Sequence, residues 1–207
     1  MNKNNTKLSF LILISFVFLL SGLFSKGIEA AGTSEESIKP AIDINKKISA
    51  LELPIPQSDQ DRTYLGLKGT GTFELNQIKT RILIIEILDF YCPHCQHDAP
   101  LVNSLYRNIQ ERADIKDIIK IIGIGVGNSP YELNLFKQKF QVTFPLLPDQ
   151  DSDISKTFGV KGTPTFIGIR LNNQGLMEIF FFQEGGFEEA PKFLKEIVKQ
   201  SGLKQEE

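Results

Sequence analysis

The sequence predicts an α/β fold, a central mixed sheet with helices on both faces, and three observations lead to it. Two apolar runs rich in β-branched residues, Arg81–Phe90 and Ile118–Val126, are continuous rather than alternating, as strands covered on both faces are. Each is followed by a turn, a proline and an apolar stripe at intervals of three and four, the pattern of a helix packed on one side. Two further β-rich segments, Thr165–Leu171 and Leu176–Gln183, flank Asn172-Asn173-Gln174-Gly175 and read as a hairpin. Strand, helix, strand, helix, hairpin, helix is an order that sets helices on both sides of one sheet.

The elements follow in chain order. Lys3 and Lys7 precede an apolar run from Leu8 to Phe24, which ends in Ser25-Lys26-Gly27 and a small-residue exit around Ala30-Ala31-Gly32. A basic start, an apolar middle and such an exit read as a secretory signal over residues 1–30. The run approaches the ~17 to 25 residues that span a bilayer. Ile28 fits poorly at the −3 place of a cleavage after Ala30, so a cleaved signal peptide and an uncleaved anchor both stand. Residues 31–62 are polar and proline-punctuated and read as an N-terminal linker or extension, with a short helix over Ala41–Leu51.

The domain itself is expected over residues 63–202, with 203–207 as a polar tail. Tyr64–Leu67 and Gly71–Phe73 read as short strands and Leu75–Ile78 as a single turn. After the strand at Arg81–Phe90, Pro93 opens a helix through Leu101, Val102, Leu105, Tyr106 and Ile109, with Pro100 expected to bend it. Ser129 caps the next helix, Pro130 begins it, and Leu133, Phe136 and Phe140 form its inner face. Asp151–Phe158 reads as a brief helix. The final helix, Phe187–Ser201, turns Phe193, Leu194, Ile197 and Val198 inward.

Charge narrows the function. The chain carries a net charge of −2, and without residues 1–30 it has 20 basic against 24 acidic side chains. No basic face is offered to nucleic acid. The richness in Phe and Ile suits a core, and no cofactor is inferred from it.

The chain has two cysteines, Cys92 and Cys95, in Cys92-Pro93-His94-Cys95. A bridge over so short a loop would constrain the unfolded chain little, which argues against a structural staple. If the helix starts at Pro93, Cys92 is its N-cap and Cys95 lies one turn in. Free backbone N–H groups and the positive helix end then favour a Cys92 thiolate, with the more enclosed Cys95 as resolving thiol. His94 adds a donor, and as a cation it would stabilise the thiolate further and strengthen the oxidised form as an oxidant. Metal binding by Cys92, Cys95, His94 and His97 is chemically conceivable, but one helix turn does not gather all four into a tetrahedron, so no metal is expected.

The segment from Ile82 to Cys95 resembles the active-site region of the thioredoxin superfamily, in which a strand runs into a CxxC helix. The Cys-Pro-His-Cys motif is similar to that of DsbA-type oxidases. The element order, with the lead-in Phe73-Glu74-Leu75-Asn76-Gln77-Ile78-Lys79, is nearer exported TlpA/ResA-type proteins. The resemblance covers roughly residues 64–200 and includes Gly159-Val160-Lys161-Gly162-Thr163-Pro164-Thr165, which is similar to the family's cis-proline loop. It implies a thioredoxin-like fold in which Thr163 and Pro164 face the cysteines and bind extended substrate. It also matches Glu86 to the buried acid that moves a proton from the resolving thiol, and desolvation in an apolar strand should raise its pKa. Asp98 resembles the acidic helix residue of ResA-like proteins, where glutamate is usual, and is expected to tune thiol ionisation. Tyr91 replaces the common tryptophan before the first cysteine and, with Pro93, offers substrate a flat apolar edge. Asp89 stands where peroxiredoxins need threonine, three residues before the cysteine, so peroxide chemistry is not expected.

The function expected is an extracytoplasmic thiol-disulfide oxidoreductase of the bacterial periplasm, soluble or held by its signal, exchanging disulfides with protein substrates and a membrane or periplasmic thiol partner. The motif leaves the direction open between an oxidant and a ResA/TlpA-type reductant serving haem attachment or metal-site assembly. A non-enzymatic metal or assembly chaperone on the same frame is the reading from a different class.

Overall fold

A computed structural model describes residues 52–172 and 176–203, together with the backbone of Lys47–Ile48. The expectations for residues 1–30 and for most of 31–51 lie outside the described residues, as does the tip of the predicted hairpin. Among the described residues no helix is long and apolar enough to cross a membrane.

The main sheet contains β1 (Lys47–Ile48), β4 (Ile82–Leu88), β5 (Ile119–Val126), β6 (Leu146–Asp149), β7 (Thr165–Leu171) and β8 (Met177–Glu184), in the order β1-β8-β7-β4-β5-β6. β4, β5 and β6 are parallel, while β7, β8 and β1 join antiparallel, so the sheet is mixed as expected. A separate ribbon pairs β2 (Glu52–Pro54) with β3 (Thr72–Glu74). The helices are α1 (Asp59–Leu65), α2 (Pro93–Gln110), α3 (Pro130–Lys139), α4 (Asp153–Thr157) and α5 (Ala190–Ser201).

Alternation along β4 sorts the core into two layers. Ile82, Ile84 and Leu88 pack with α2, α3 and α5 through Val102, Leu105, Phe136, Phe193 and Ile197. Leu83, Ile85 and Ile87 pack on the other face with Leu53, Leu65, Phe73 and Phe158. Helices therefore cover both faces, and the continuous apolar text of β4 follows from burial on both sides.

The amino-terminal part corrects three expectations. Tyr64 and Leu65 close helix α1 rather than a strand: Ser58 caps it by accepting from the Asp61 N–H, Asp59 and Asp61 favour its positive end, and Gly66 ends it at φ 73°. Lys47–Ile48 is a strand paired to Met177–Glu178, not part of a helix over 41–51. The packed structure also reaches back before position 63, because β2 pairs with β3 and buries Leu53 at 1% exposure. The last helix begins at Ala190 with Glu189 as its N-cap, three residues later than Phe187.

Candidate active site

The sheet register brings four loops to one edge. Leu88, at the end of β4, pairs with Gly125 near the end of β5, and Ile87 pairs with Thr165 at the start of β7. Thr165 in turn pairs with Glu184 at the end of β8. The chain leaving β4 toward Cys92, the Gly127-Asn128 turn, the Thr163–Pro164 loop and the Gly185-Gly186 loop therefore meet there.

Cys92 is the N-cap of α2 with extended backbone (φ −72°, ψ 116°), and Pro93 opens the helix, where its missing N–H goes unused. Both cysteines are free, Cys92 partly exposed and Cys95 buried. The Cys92 sulfur accepts from the Cys95 N–H at 3.4 Å and, as a thiol, donates to the Thr163 carbonyl at 3.2 Å. The Thr163–Pro164 bond is cis, as the resemblance implied. Burial works against ionisation of Cys92, but the Thr163 side chain, the Cys95 amide and thiol and the His94 amide outweigh it and hold its pKa below the ordinary value. Burial pushes the Cys95 thiol far up, and nearby Glu86 adds to the rise.

Glu86 is 2% exposed and lies on the α2 side of β4 by its alternation with Ile85 and Ile87. Desolvation first, and the charge of Asp98 second, raise its carboxyl to about 8. Asp98 is only 14% exposed at its side chain and is bonded to His97 Nδ1 at 2.8 Å. It rests against Gly186, where any Cβ would collide with its Oδ2. Glu86 and Cys95 thus form a buried floor of the site, with Asp98 within electrostatic reach of Glu86.

The other expected residues divide. The Tyr91 ring is 66% exposed, packs edge-on to Phe90 at 4.8 Å and donates its hydroxyl to Glu132 at 2.8 Å. His94 is exposed and its ring makes no hydrogen bond or ion pair among the described residues, while its backbone amide supports the sulfur. Two contributors went unnoticed in the sequence, Asn128 and Gln96. They bind the Phe90 N–H and carbonyl, each at 2.8 Å.

The AhpC/TSA family model matches residues 30–186. The chain belongs to the AhpC/TSA family. It is 25% identical over 125 residues to the thiol-disulfide oxidoreductase ResA of Bacillus thuringiensis subsp. konkukian, covering 60% of this chain and 68% of that protein. It is 24% identical over 129 residues to the ResA of Halalkalibacterium halodurans, covering 62% and 68%. Among solved structures, the thioredoxin domain of a thiol-disulfide oxidoreductase from Bacteroides vulgatus superposes with TM-score 0.54 at 11% identity, over 76% of this chain and 99% of that one. MTB DsbF, in mixed oxidized and reduced forms, gives TM-score 0.50 at 15% identity over 76% and 96%. The fold is thioredoxin-like, and this AhpC/TSA member is a ResA/TlpA-like thiol-disulfide oxidoreductase acting through its cysteine pair. Asp89 occupies the place three residues before Cys92 where a peroxidatic site has threonine.

Proposed function

We propose that the chain acts outside the cytoplasm as a dithiol reductant of protein disulfides. Thiolate Cys92 attacks a substrate disulfide and forms a mixed disulfide, expelling the first substrate sulfur. Cys95 gives its proton to ionised Glu86, attacks the Cys92 sulfur and releases the second substrate thiolate, leaving the Cys92–Cys95 disulfide. A thiol donor at or near the membrane then returns the pair to the dithiol.

The observation that carries this reading is the carboxyl of Glu86, raised to about 8 beside the one sulfur that must lose a proton. A base of that pKa accepts a proton near neutral pH and returns it readily. The ResA relatives support the same reading, and the basic-apolar-small pattern of residues 1–30 supports export, followed by a linker and the thioredoxin-like domain. Thr163 and Pro164 hold an extended substrate segment against Cys92, with Tyr91 and Pro93 as its apolar border.

Oxidation of substrates is favoured instead by the lowered pKa of Cys92, since a stable thiolate leaves easily. The equilibrium reduction potential of the pair separates the two. A value near about −270 mV supports the reductant, whereas one near about −120 mV overturns it.

A further inference from the structure

We infer that Thr165 is a positioning residue for substrate recognition. Its buried hydroxyl closes the turn at Gly162 and so keeps the Thr163 carbonyl facing the reactive sulfur, where an extended substrate segment presents a backbone N–H. The inference rests on the reading of Thr163 and Pro164 as the seat of that segment. Three successive carbonyls meet in this loop, each with a different donor. The Gly162 carbonyl accepts from Thr165 Oγ1 at 2.7 Å, the Thr163 carbonyl from the Cys92 thiol at 3.2 Å and the Pro164 carbonyl from the Gly185 N–H at 2.8 Å. The outer two are tied to the frame of the protein, and the middle one points at the attacking cysteine.

Thr165 is built for this part. Its backbone is fixed in β7 by pairing with Ile87 of β4 and with Glu184 of β8. The side chain is 0% exposed, and a hydroxyl so enclosed needs an acceptor, which it finds three residues back across the turn. Valine would fill the same space and suit the strand equally but has no proton to donate. Gly162 is exposed, so its carbonyl would then turn to water, and the turn would lose the bond that fixes Thr163.

The consequence falls on substrate capture. In the resting dithiol the Cys92 S–H occupies the Thr163 carbonyl. Once ionised for attack, Cys92 has no proton to give, and the carbonyl accepts a substrate N–H instead. Thiolate Cys92 then bonds to the near sulfur of the substrate disulfide as the S–S bond breaks and the far sulfur leaves as a thiolate. A carbonyl already fixed beside Cys92 sets the substrate backbone, and with it the disulfide, next to that sulfur with little further ordering.

The test mixes the reduced protein with two oxidants, an unstructured peptide closed by a disulfide and bis(hydroxyethyl) disulfide, which has no backbone. Loss of the Cys92 thiol is followed by acid quench and alkylation. In Thr165→Val the second-order rate with the peptide should fall about fivefold, the scale of one lost hydrogen bond, while the rate with bis(hydroxyethyl) disulfide changes less than about twofold. Thr165→Ser, which keeps the hydroxyl, should return the peptide rate to the native value. A peptide rate in Thr165→Val within twofold of the native one overturns the inference, as does an equal fall with both oxidants, which marks a general loosening of the site. Should Thr165→Val not fold, Thr165→Ala is read by the same two criteria. Methylating the amides that flank the cysteines of the peptide tests the underlying reading in the native protein, where it should slow the peptide by a similar factor. An unaltered rate there overturns the substrate seat itself, whereas slowing there beside a native-like Thr165→Val overturns the role of Thr165 alone.

Discussion

The rim and the floor of the site place two cysteines one helical turn apart in opposite environments. At the rim Cys92 meets backbone donors at the start of α2, and these outweigh its partial burial. At the floor Cys95 meets closed apolar packing and the Glu86 carboxyl, so its thiol resists ionisation. Burial acts on both sulfurs, but it acts more deeply on Cys95 and outweighs the donors there, whereas at Cys92 the donors outweigh it. Two identical side chains thereby take up unequal parts in exchange, with the acid beneath needed for one of them only.

Removing either sulfur breaks the comparison most severely. Cys92→Ala should abolish exchange, whereas Cys95→Ala should retain attack and accumulate mixed disulfides, visible as adducts in non-reducing mass spectra. Equal behaviour of the two variants would dissolve the division into rim and floor.

Glu86→Gln should slow the resolving step by about 10²-fold or more in single-turnover measurements, the scale expected for a lost general base. Stability offers a second reading of the same group. Its folded value of about 8 lies above its ordinary 4.5, so the native state holds a proton that the unfolded chain has lost. Native stability therefore falls as pH rises from about 4.5 to about 8 and levels off above, a change on the order of 5 kcal/mol at most. Urea denaturation across that window should show the slope in the native protein and its loss in Glu86→Gln.

A smaller effect belongs to Asp98, the lesser cause of the Glu86 shift. Asp98→Asn should move the Glu86-dependent limb of the pH–rate profile downward by part of a pH unit. Gly186→Ala should act in the same sense, because its Cβ displaces the Asp98 carboxylate.

The smallest change is expected at His94. His94→Gln keeps the backbone amide that supports the sulfur, so the Cys92 alkylation midpoint should stay within a few tenths of a unit. A large upward movement would return the imidazole to the rim as a working cation.

Most of the chemistry was legible because it is written locally. Cys92 before Pro93 marks an N-cap by adjacency alone, and an acid inside the apolar run of β4 announces its own desolvation. Helix α1 was missed, because the apolar pair Tyr64 and Leu65 reads as a strand, although Ser58 as cap and Gly66 as terminator mark its ends. Asn128 carries no such signal: a polar residue at a strand end is ordinary until the partner strand brings Phe90 to it. In β8 Phe180 and Phe181 are both buried because the register shifts between Gly168 and Ile169, which no alternating pattern foretells.

By itself the sequence determined the continuous strands, the proline-started helices and the cysteine pair, all of which rest on spacings of a few residues, while the Thr163–Pro164 loop facing the pair was implied by the family resemblance. Only the tertiary structure decided that Glu52–Pro54 belongs to the folded unit, that Asp98 lies against Gly186 within electrostatic reach of Glu86, and that Asn128 binds the turn before Cys92. Those arrangements depend on which distant strands pair and in what register, and burial and electrostatics act across that distance regardless of order in the chain.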